Sequence, residues 1–322
     1  MVFSALAVLL VSEMGARFID SSLPEPIEWF DARAQVKVEQ MDELARKKKS
    51  IDFVFVGTSM VFRGIDPQLF DSKGEGETFS YNAALLAGVP PVMRRWILEE
   101  VVPRLKPRVV VYGLSSLDLH ERRYKSPVRS YENAPATRRG LMASLQRIGF
   151  RRLKLIRRRA ELRDPEDLVA LRDALARPEE GEVERHRRTM THRGYQPKRK
   201  RADNDSERDR LRSKVFRGYA ISRKGTGDIA GIVNGLRKEG IEVVLVDMPV
   251  PDRLIPLHPR GHRDYRAARR HLRAVARELD VSLVDMARVM DDSRFVDYTH
   301  LSAQGATEFT KKLRVRLARE DF

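Results

Sequence analysis

The sequence predicts an α/β fold in which helices cover both faces of a five-stranded parallel sheet. Three observations carry this prediction. Five short apolar runs resemble buried strands, segments with helical spacing alternate with them, and the basic charge of the chain is concentrated in one internal stretch outside that alternation. Strands that alternate with helices are typical of right-handed crossovers, which place helices on both faces of a parallel sheet.

The candidate strands are mostly rich in Val and Ile and continuously apolar, which is the pattern of strands buried on both faces. They are residues 51–56, 79–83, 109–112, 243–246 and 282–284. The helical segments are residues 92–105, 229–238, 265–279 and 303–317, and Gly240 supplies a C-terminal stop for the second of them. In such a sheet, functional groups are expected at the carboxyl ends of the strands.

The charge of the 322-residue chain is unevenly distributed. Residues 121–215 hold 28 of the 62 Lys and Arg residues and 15 of the 46 Asp and Glu residues, so this stretch carries +13 and the remainder +3. The stretch falls between the third and fourth strands, which makes it an insert in one domain. Within it, residues 165–177 are predicted to form a short helix and residues 185–212 a mobile loop, because the loop has almost no apolar periodicity. The insert is either a solvated surface or a surface that binds a membrane, an acidic polymer or a partner.

Composition and motifs exclude several classes of mechanism. The chain has no cysteine, which excludes disulfides, thiol nucleophiles and cysteine-based zinc sites. It has no Walker-type loop and no Rossmann glycine fingerprint, so nucleotide chemistry has no support. His258, His262 and His271 lack a nearby carboxylate cluster, and we expect neither a metal nor a cofactor.

The N-terminus begins with an apolar run, residues 1–11, interrupted only by Ser4. The run is shorter than the roughly 20 residues that cross a membrane, and it lacks the charged start and cleavage site of a signal peptide. We interpret residues 1–20 as a membrane anchor whose beginning is missing or misassigned, and residues 21–48 as a tether, so that the rest of the chain faces outward. The alternative is a buried N-terminal helix.

Polar motifs follow the first and the last candidate strands. After the first comes Gly57-Thr58-Ser59, and a serine at such a strand-to-helix turn presents its hydroxyl at the edge of the sheet. After the last comes Asp297-Tyr298-Thr299-His300. An Asp three residues before a His can hold the ring nitrogen that does not face a nucleophile, which fixes the tautomer and stabilises the imidazolium.

In this order the two motifs resemble the first and last blocks of the SGNH (GDSL-like) hydrolase superfamily, the last block continuing into Leu301 and Gly305. The second block, a glycine after the second strand, is similar to the run from Tyr81 to Gly88. The third block reads Gly113-Leu114-Ser115-Ser116-Leu117-Asp118, without the family's asparagine. The resemblance covers residues 50–120 and 225–320.

The resemblance implies a three-layer αβα, flavodoxin-like domain formed by residues 49–120 and 216–322, with residues 121–215 as a charged, partly helical insert between strands three and four. It implies that Ser59 is the nucleophile, His300 the general base and Asp297 the residue that orients it. The candidates for oxyanion or substrate binding are Gly88, Asn82 and Ser116, the last in place of the asparagine.

The activity implied is that of a serine esterase or O-acyltransferase that works through an acyl-serine intermediate. Within the superfamily the chain looks most like extracytoplasmic branches such as the DltD-like and alginate O-acetylation proteins. These imply a cell-envelope polysaccharide as acceptor and an acyl-donor membrane protein as partner.

Structural explanations exist for each of these residues. Ser59 can cap the following helix, and Asp297 with His300 can form a structural pair. Asn82 and Gly88 can be required only by the conformation of the turn in which they lie. Asp118 fits better as an anchor of the loop after the third strand than as a catalytic group.

Two other functions also stay open. The missing asparagine favours a catalytically inactive module that binds a polymer or a partner. The basic insert favours a nucleic-acid-binding protein, although Tyr195 is the only aromatic residue between positions 185 and 212, apart from histidines, that could stack on a base.

Overall fold

The structure is a computed structural model that describes residues 11–14, 17, 24–47, 50–71, 78–137, 180–198 and 205–319. The chain divides into two compact units, residues 1–36 with 130–189 and residues 37–129 with 190–322. The second unit contains the whole sheet.

The helices and strands are numbered in chain order. They are α1 (Ala32–Arg46), β1 (Phe53–Gly57), α2 (Ser59–Gly64), α3 (Pro67–Asp71), β2 (Ser80–Asn82), α4 (Pro90–Arg95), α5 (Val102–Leu105), β3 (Val109–Leu114), α6 (Lys125–Asn133), α7 (Glu182–Thr189), α8 (Asp205–Arg210), α9 (Arg223–Lys238), β4 (Glu242–Asp247), α10 (His262–Glu278), β5 (Ser282–Asp285) and α11 (Ala303–Leu317).

The five strands form one parallel sheet in the order β2-β1-β3-β4-β5. This is the flavodoxin-like strand order, and it confirms the predicted α/β fold with helices flanking the sheet. Helices α2, α3 and α11 pack together, α9 packs on α4 and β4, and α10 packs on β4 and β5. Between β3 and β4 the described residues contain α6, α7, α8 and α9, and the first three of these helices lie within the predicted insert, residues 121–215.

The strand limits are set by pairing as well as by apolar residues. The first strand begins at Phe53, two residues later than predicted, and continues to Gly57, because Phe53 pairs with Val109 and Gly57 with Gly113. Strand β3 likewise continues to Leu114, which pairs with Asp247 of β4.

The helix predicted over residues 92–105 is interrupted by a π-helical stretch, Trp96–Val101, between α4 and α5. Pro103 follows two residues after the end of this stretch. Proline has no N–H to donate and its ring clashes with the carbonyl four residues before it, so a widened turn accommodates it. Trp96 is fully buried here, and its Nε1 donates to the carbonyl of Ala83 at 2.8 Å.

Three expectations concern the less regular parts of the chain. Residues 21–48, the predicted tether, contain helix α1, where Lys37 and Met41 are fully buried. The mobile-loop prediction for residues 185–212 is wrong for α7 and α8, which are helices. Ion pairs between Glu and Arg side chains occur at both helices, although the sequence there has no apolar periodicity. The helix predicted at 165–177 lies outside the described residues.

The anchor predicted at residues 1–20 also lies mostly outside the described residues. In the part of the chain that is described, no helix has the length and apolar character needed to cross a membrane.

Candidate active site

Ser59 lies where β1 turns into α2. Gly57 ends β1 with φ +147°, and a Cβ there would lie 2.6 Å from both the carbonyl oxygen of Gly113 and the Cγ2 atom of Val61. Thr58 is extended, and α2 begins at Ser59. Glycine tolerates both this φ and this close approach, so the chain can leave the sheet at the end of β1 in a tight turn. This turn brings Ser59 to the carboxyl edge of the sheet.

A loop after β5 carries the other two residues of the predicted triad. Phe295 and Leu301 form an antiparallel bridge across this loop, and the N–H of Val296 donates to the carbonyl of His300 at 3.0 Å. The loop ends at Ser302, whose hydroxyl caps α11. Both ends of the loop are therefore fixed, which limits the movement of the side chains between them.

The structure brings Ser59, His300 and Asp297 into one hydrogen-bonded chain. Nε2 of His300 lies 2.8 Å from Oγ of Ser59, and Nδ1 lies 2.8 Å from Oδ2 of Asp297. Oδ1 of Asp297 accepts from the backbone N–H groups of Thr299 and His300, both at 2.7 Å. Because Nδ1 faces a carboxylate, it carries the ring proton, and Nε2 can accept the proton of the Ser59 hydroxyl.

The surroundings keep His300 uncharged and Asp297 ionised. Burial lowers the pKa of His300 below its usual value, although Asp297 opposes this shift and Lys198 and Arg63 add to it. Burial alone would raise the pKa of Asp297, but hydrogen bonds from His300, Lys198 and Thr299 hold it well below its usual range. At neutral pH the two groups are therefore an imidazole and a carboxylate, the protonation states that a general base and its orienting group require.

Gly88 lies against the turn that precedes Ser59. A Cβ on Gly88 would be 2.5 Å from the carbonyl oxygen of Gly57 and 2.6 Å from Sδ of Met93, so glycine allows this close approach. Among the described residues, neither the N–H of Gly88 nor that of Ser59 donates to a backbone carbonyl. Both N–H groups therefore stay candidate donors for an oxyanion.

The side chain of Asn82 holds the turn instead of facing the site. Its Nδ2 donates to the carbonyls of Val61 at 3.0 Å and Ile65 at 2.8 Å, and its Oδ1 accepts from the N–H of Ala84 at 3.1 Å. Both amide hydrogens are used, and the side chain is fully buried. An oxyanion role for this side chain is therefore excluded, and Asn82 ties α2 to the end of β2.

Ser116 is also engaged elsewhere. Its Oγ lies 3.1 Å from Nε2 of the buried His258, whose Nδ1 lies 3.1 Å from the carbonyl of Ile255. A carbonyl can only accept, so Nδ1 carries the ring proton and Nε2 accepts the proton of Ser116. Burial lowers the pKa of His258 to about 4, which keeps the ring neutral. The hydroxyl proton of Ser116 is thus engaged by His258.

The remaining polar candidates have structural partners. Asp118 is buried and accepts from the N–H and the hydroxyl of Ser115, both at 2.8 Å, which anchors the loop after β3. His271 lies 2.8 Å from the hydroxyl of Thr226. In the part of the chain that the structure describes, no group of three His, Asp or Glu side chains is placed to hold a metal.

Two cationic residues at the site were not predicted from the sequence. Arg253 follows β4, and its Nη2 donates to the carbonyl of Asp297 at 2.8 Å. Its position after a strand of the same parallel sheet is a signal that could have identified it. Lys198, a residue of the insert, contacts Oδ2 of Asp297. In the sequence nothing distinguishes Lys198 from the three cations that follow it, at positions 199–201.

Comparison with models of known protein families and with curated proteins gives no match. Comparison with solved structures gives several similar chains, all of low sequence identity. A GDSL-like lipase from Bacteroides thetaiotaomicron is 11% identical, with a TM-score of 0.41 over 88% of this chain and 98% of its own. The carbohydrate acetylesterase Est24 from Sinorhizobium meliloti is 10% identical, with a TM-score of 0.40 over 84% and 99%. The esterase EstA from Pseudoalteromonas sp. is 8% identical, with a TM-score of 0.38 over 83% and 97%. At these values, the function has to be argued from the site itself.

Proposed function

We propose that this chain is a serine esterase or O-acyltransferase of the SGNH type. The proposal rests on one observation, the hydrogen-bonded chain from Ser59 through His300 to Asp297 at the carboxyl edge of the sheet. A serine whose hydroxyl faces a neutral imidazole, which is in turn held by a carboxylate, is the arrangement of an activated oxygen nucleophile.

In this proposal, Oγ of Ser59 attacks the carbonyl carbon of an ester while Nε2 of His300 takes the hydroxyl proton. The oxyanion that forms is stabilised by the N–H groups of Ser59 and Gly88. His300 then gives the proton to the leaving alkoxide, and the acyl group remains on Ser59. In the second half-reaction, water or an acceptor hydroxyl loses its proton to His300 and attacks the acyl carbonyl, the bond between the acyl group and Oγ of Ser59 breaks, and His300 returns the proton to Oγ. Attack by water is hydrolysis, and attack by an acceptor hydroxyl is transfer.

The oxyanion site supports slow turnover. The side chains of Asn82 and Ser116 are engaged in other hydrogen bonds, so the two backbone N–H groups act without a side-chain donor. Loss of one oxyanion donor costs about 10²–10³ in kcat in a serine hydrolase. We therefore expect a low kcat with a small activated ester, even though the three triad residues are within hydrogen-bond distance of one another.

The test is hydrolysis of p-nitrophenyl acetate by the full chain, together with labelling by a fluorophosphonate and identification of the labelled residue by mass spectrometry. We expect hydrolysis and a label on Ser59, both lost in Ser59→Ala. Ser213→Ala, which removes an exposed hydroxyl, is the matched control and should retain both. A folded wild-type chain that neither hydrolyses the ester nor takes the label would instead support the inactive binding module.

The acceptor and the location of the chain form a further part of the proposal. We propose that the acyl acceptor is a cell-envelope polysaccharide or a similar polymer, that an acyl-donor membrane protein is the partner, and that the chain is anchored facing outward. The apolar run at residues 1–11 and the basic insert support this. Fractionation of cells should place the chain with membranes, and recovery in the soluble fraction would contradict the anchor without affecting the esterase assignment.

A further inference from the structure

Residues 190–198 of the insert, which belong to the unit that carries the sheet, form a strap held by several contacts within that unit. The fully buried Lys37 donates from Nζ to the carbonyl of Gly194 at 2.6 Å and also to the carbonyl of Asn82. Gly194 has φ +76°, and a Cβ there would lie 2.2 Å from the Asn82 carbonyl oxygen. The strap turns back on itself at this point, since the N–H of Thr191 donates to the carbonyl of Tyr195 at 2.8 Å.

Further contacts hold the strap on both sides of this turn. The guanidinium of Arg193 pairs with the carboxylate of Asp71, and it stacks 3.4 Å from the centroid of the Phe79 ring. Nη1 of Arg63 lies 3.5 Å from the carbonyl of Pro197, one residue before Lys198. The strap therefore approaches the triad along a path defined by fixed contacts.

At its end the strap places Lys198 on the carboxylate of the triad. Nζ of Lys198 contacts Oδ2 of Asp297, the same oxygen that receives Nδ1–H of His300. The Asp297 side chain is 4% exposed and that of Lys198 24%, so the contact is partly screened from water. An ammonium and an imidazole thus share one buried carboxylate oxygen.

We propose that Lys198 is a positioning residue of the triad, which acts through Asp297 to keep His300 in its uncharged, proton-accepting form. This inference rests on the proposed function for its meaning in catalysis. The first consequence is electrostatic. Positive charge near an imidazole disfavours its protonation, and Lys198 lowers the pKa of His300 while it also lowers that of Asp297.

The other charged groups around His300 do not replace Lys198. Asp297 raises the pKa of His300, and Arg63 lowers it from α2. Arg253 donates to the backbone carbonyl of Asp297, and Arg210, from α8, interacts electrostatically with the Asp297 carboxylate and carries an ion pair with Glu207. Among the residues that the structure describes, Lys198 is the cation in hydrogen-bond contact with the carboxylate oxygen that holds the imidazole.

The orientation of the carboxylate depends much less on Lys198. Oδ1 of Asp297 is fixed by the N–H groups of Thr299 and His300, and it also receives the Thr299 hydroxyl at 3.2 Å. Removal of the Lys198 ammonium should therefore leave the geometry of the triad in place and change only the charge beside Asp297 and His300. The expected signature is a shifted pH dependence with a plateau in kcat/KM that stays within about tenfold of wild type.

The experiment compares the full-length wild type with Lys198→Met. The midpoint of His300 protonation is followed by NMR, with the signal assigned among the seven histidines by its loss in His300→Gln. We expect the midpoint to rise in Lys198→Met, and the acid limb of kcat/KM for p-nitrophenyl acetate to move to higher pH with it. Lys198→Arg, which keeps the charge, should return both toward wild type. Lys47→Met removes an exposed lysine that pairs with Glu43 and should change neither.

An unchanged His300 midpoint in folded Lys198→Met would overturn the proposal, and so would a uniform loss of activity at all pH values without a shift. Lys198→Gln gives the same comparison if the methionine variant does not fold. The NMR midpoint needs no turnover. A wild type without esterase activity would therefore contradict the proposed function, while the midpoint would still decide the role of Lys198.

Discussion

Replacement of Asp297 by Asn is the sharpest test of how the triad works. The two carboxylate oxygens have different tasks, since Oδ1 accepts from two backbone N–H groups at 2.7 Å and Oδ2 faces Nδ1 of His300 at 2.8 Å. The amide oxygen of an Asn should therefore take the place of Oδ1, and its NH₂ group the place of Oδ2. A donor would then face Nδ1, which favours the tautomer with the proton on Nε2.

The expected loss follows from that tautomer. A protonated Nε2 points at Oγ of Ser59, 2.8 Å away, and cannot accept the hydroxyl proton. In a Ser-His-Asp triad, the same change lowers kcat about 10⁴-fold, which corresponds to about 5.4 kcal/mol of activation free energy. The assay is kcat/KM for p-nitrophenyl acetate near pH 8, where His300 is uncharged in the wild type.

The control is Asp291→Asn, on the same loop. Asp291 is exposed and caps a short turn through the N–H of Ser293, a task that Asn performs equally well. It should retain wild-type activity. Should Asp297→Asn keep activity within tenfold of wild type while folded, His300 would not depend on this carboxylate for its tautomer, and the triad mechanism would be refuted.

The remaining predictions concern stability. Gly57→Ala should destabilise the fold by about 1–3 kcal/mol and reduce esterase activity, since its Cβ would meet Gly113 and Val61 at 2.6 Å. Gly240→Ala has a positive φ of +70° but no atom within 4 Å, so in urea denaturation it should cost less, and equal losses would contradict the close-approach argument. Burial raises the pKa of Asp247 to about 6 despite its contact with Arg269, so the folded state binds a proton more readily than the unfolded state. Between about pH 6 and pH 4 the wild type should therefore gain up to about 3 kcal/mol relative to Asp247→Asn, and a constant difference across that range would disprove this assignment.

The sheet was predictable from the sequence because its signal is local. Continuous runs such as 109–112 and 243–246 can be stable only when buried on both faces, and this requirement is met by a parallel sheet covered by helices. The exact ends were not predictable, since Gly57 belongs to β1 through its pairing with Gly113, which is 56 positions away in the sequence. Helix α1 was missed because the many polar residues of this segment favoured its interpretation as a tether, although Lys37 is fully buried.

The candidate site was predictable in part for a related reason. The glycine before Ser59 and the three-residue spacing of Asp297 and His300 are local features, and the order of parallel strands brings both to one edge of the sheet. The engagement of Asn82 and Ser116 was not predictable. Their side-chain partners are chosen by packing, and His258 lies 142 positions from Ser116.

Local sequence patterns were enough to predict the architecture and to single out Ser59, His300 and Asp297 as the candidate nucleophile, base and orienting carboxylate, because each prediction depends on neighbouring residues and on strand order. The contacts between polar groups became visible only in the folded chain. The charge of the insert is the clearest example, since its +13 indicated a surface and nothing about the chemistry of the site. One of its cations, Lys198, contacts the Asp297 carboxylate. A hydrogen bond acts over about 3 Å, and a sequence does not show which side chains folding will bring within that distance.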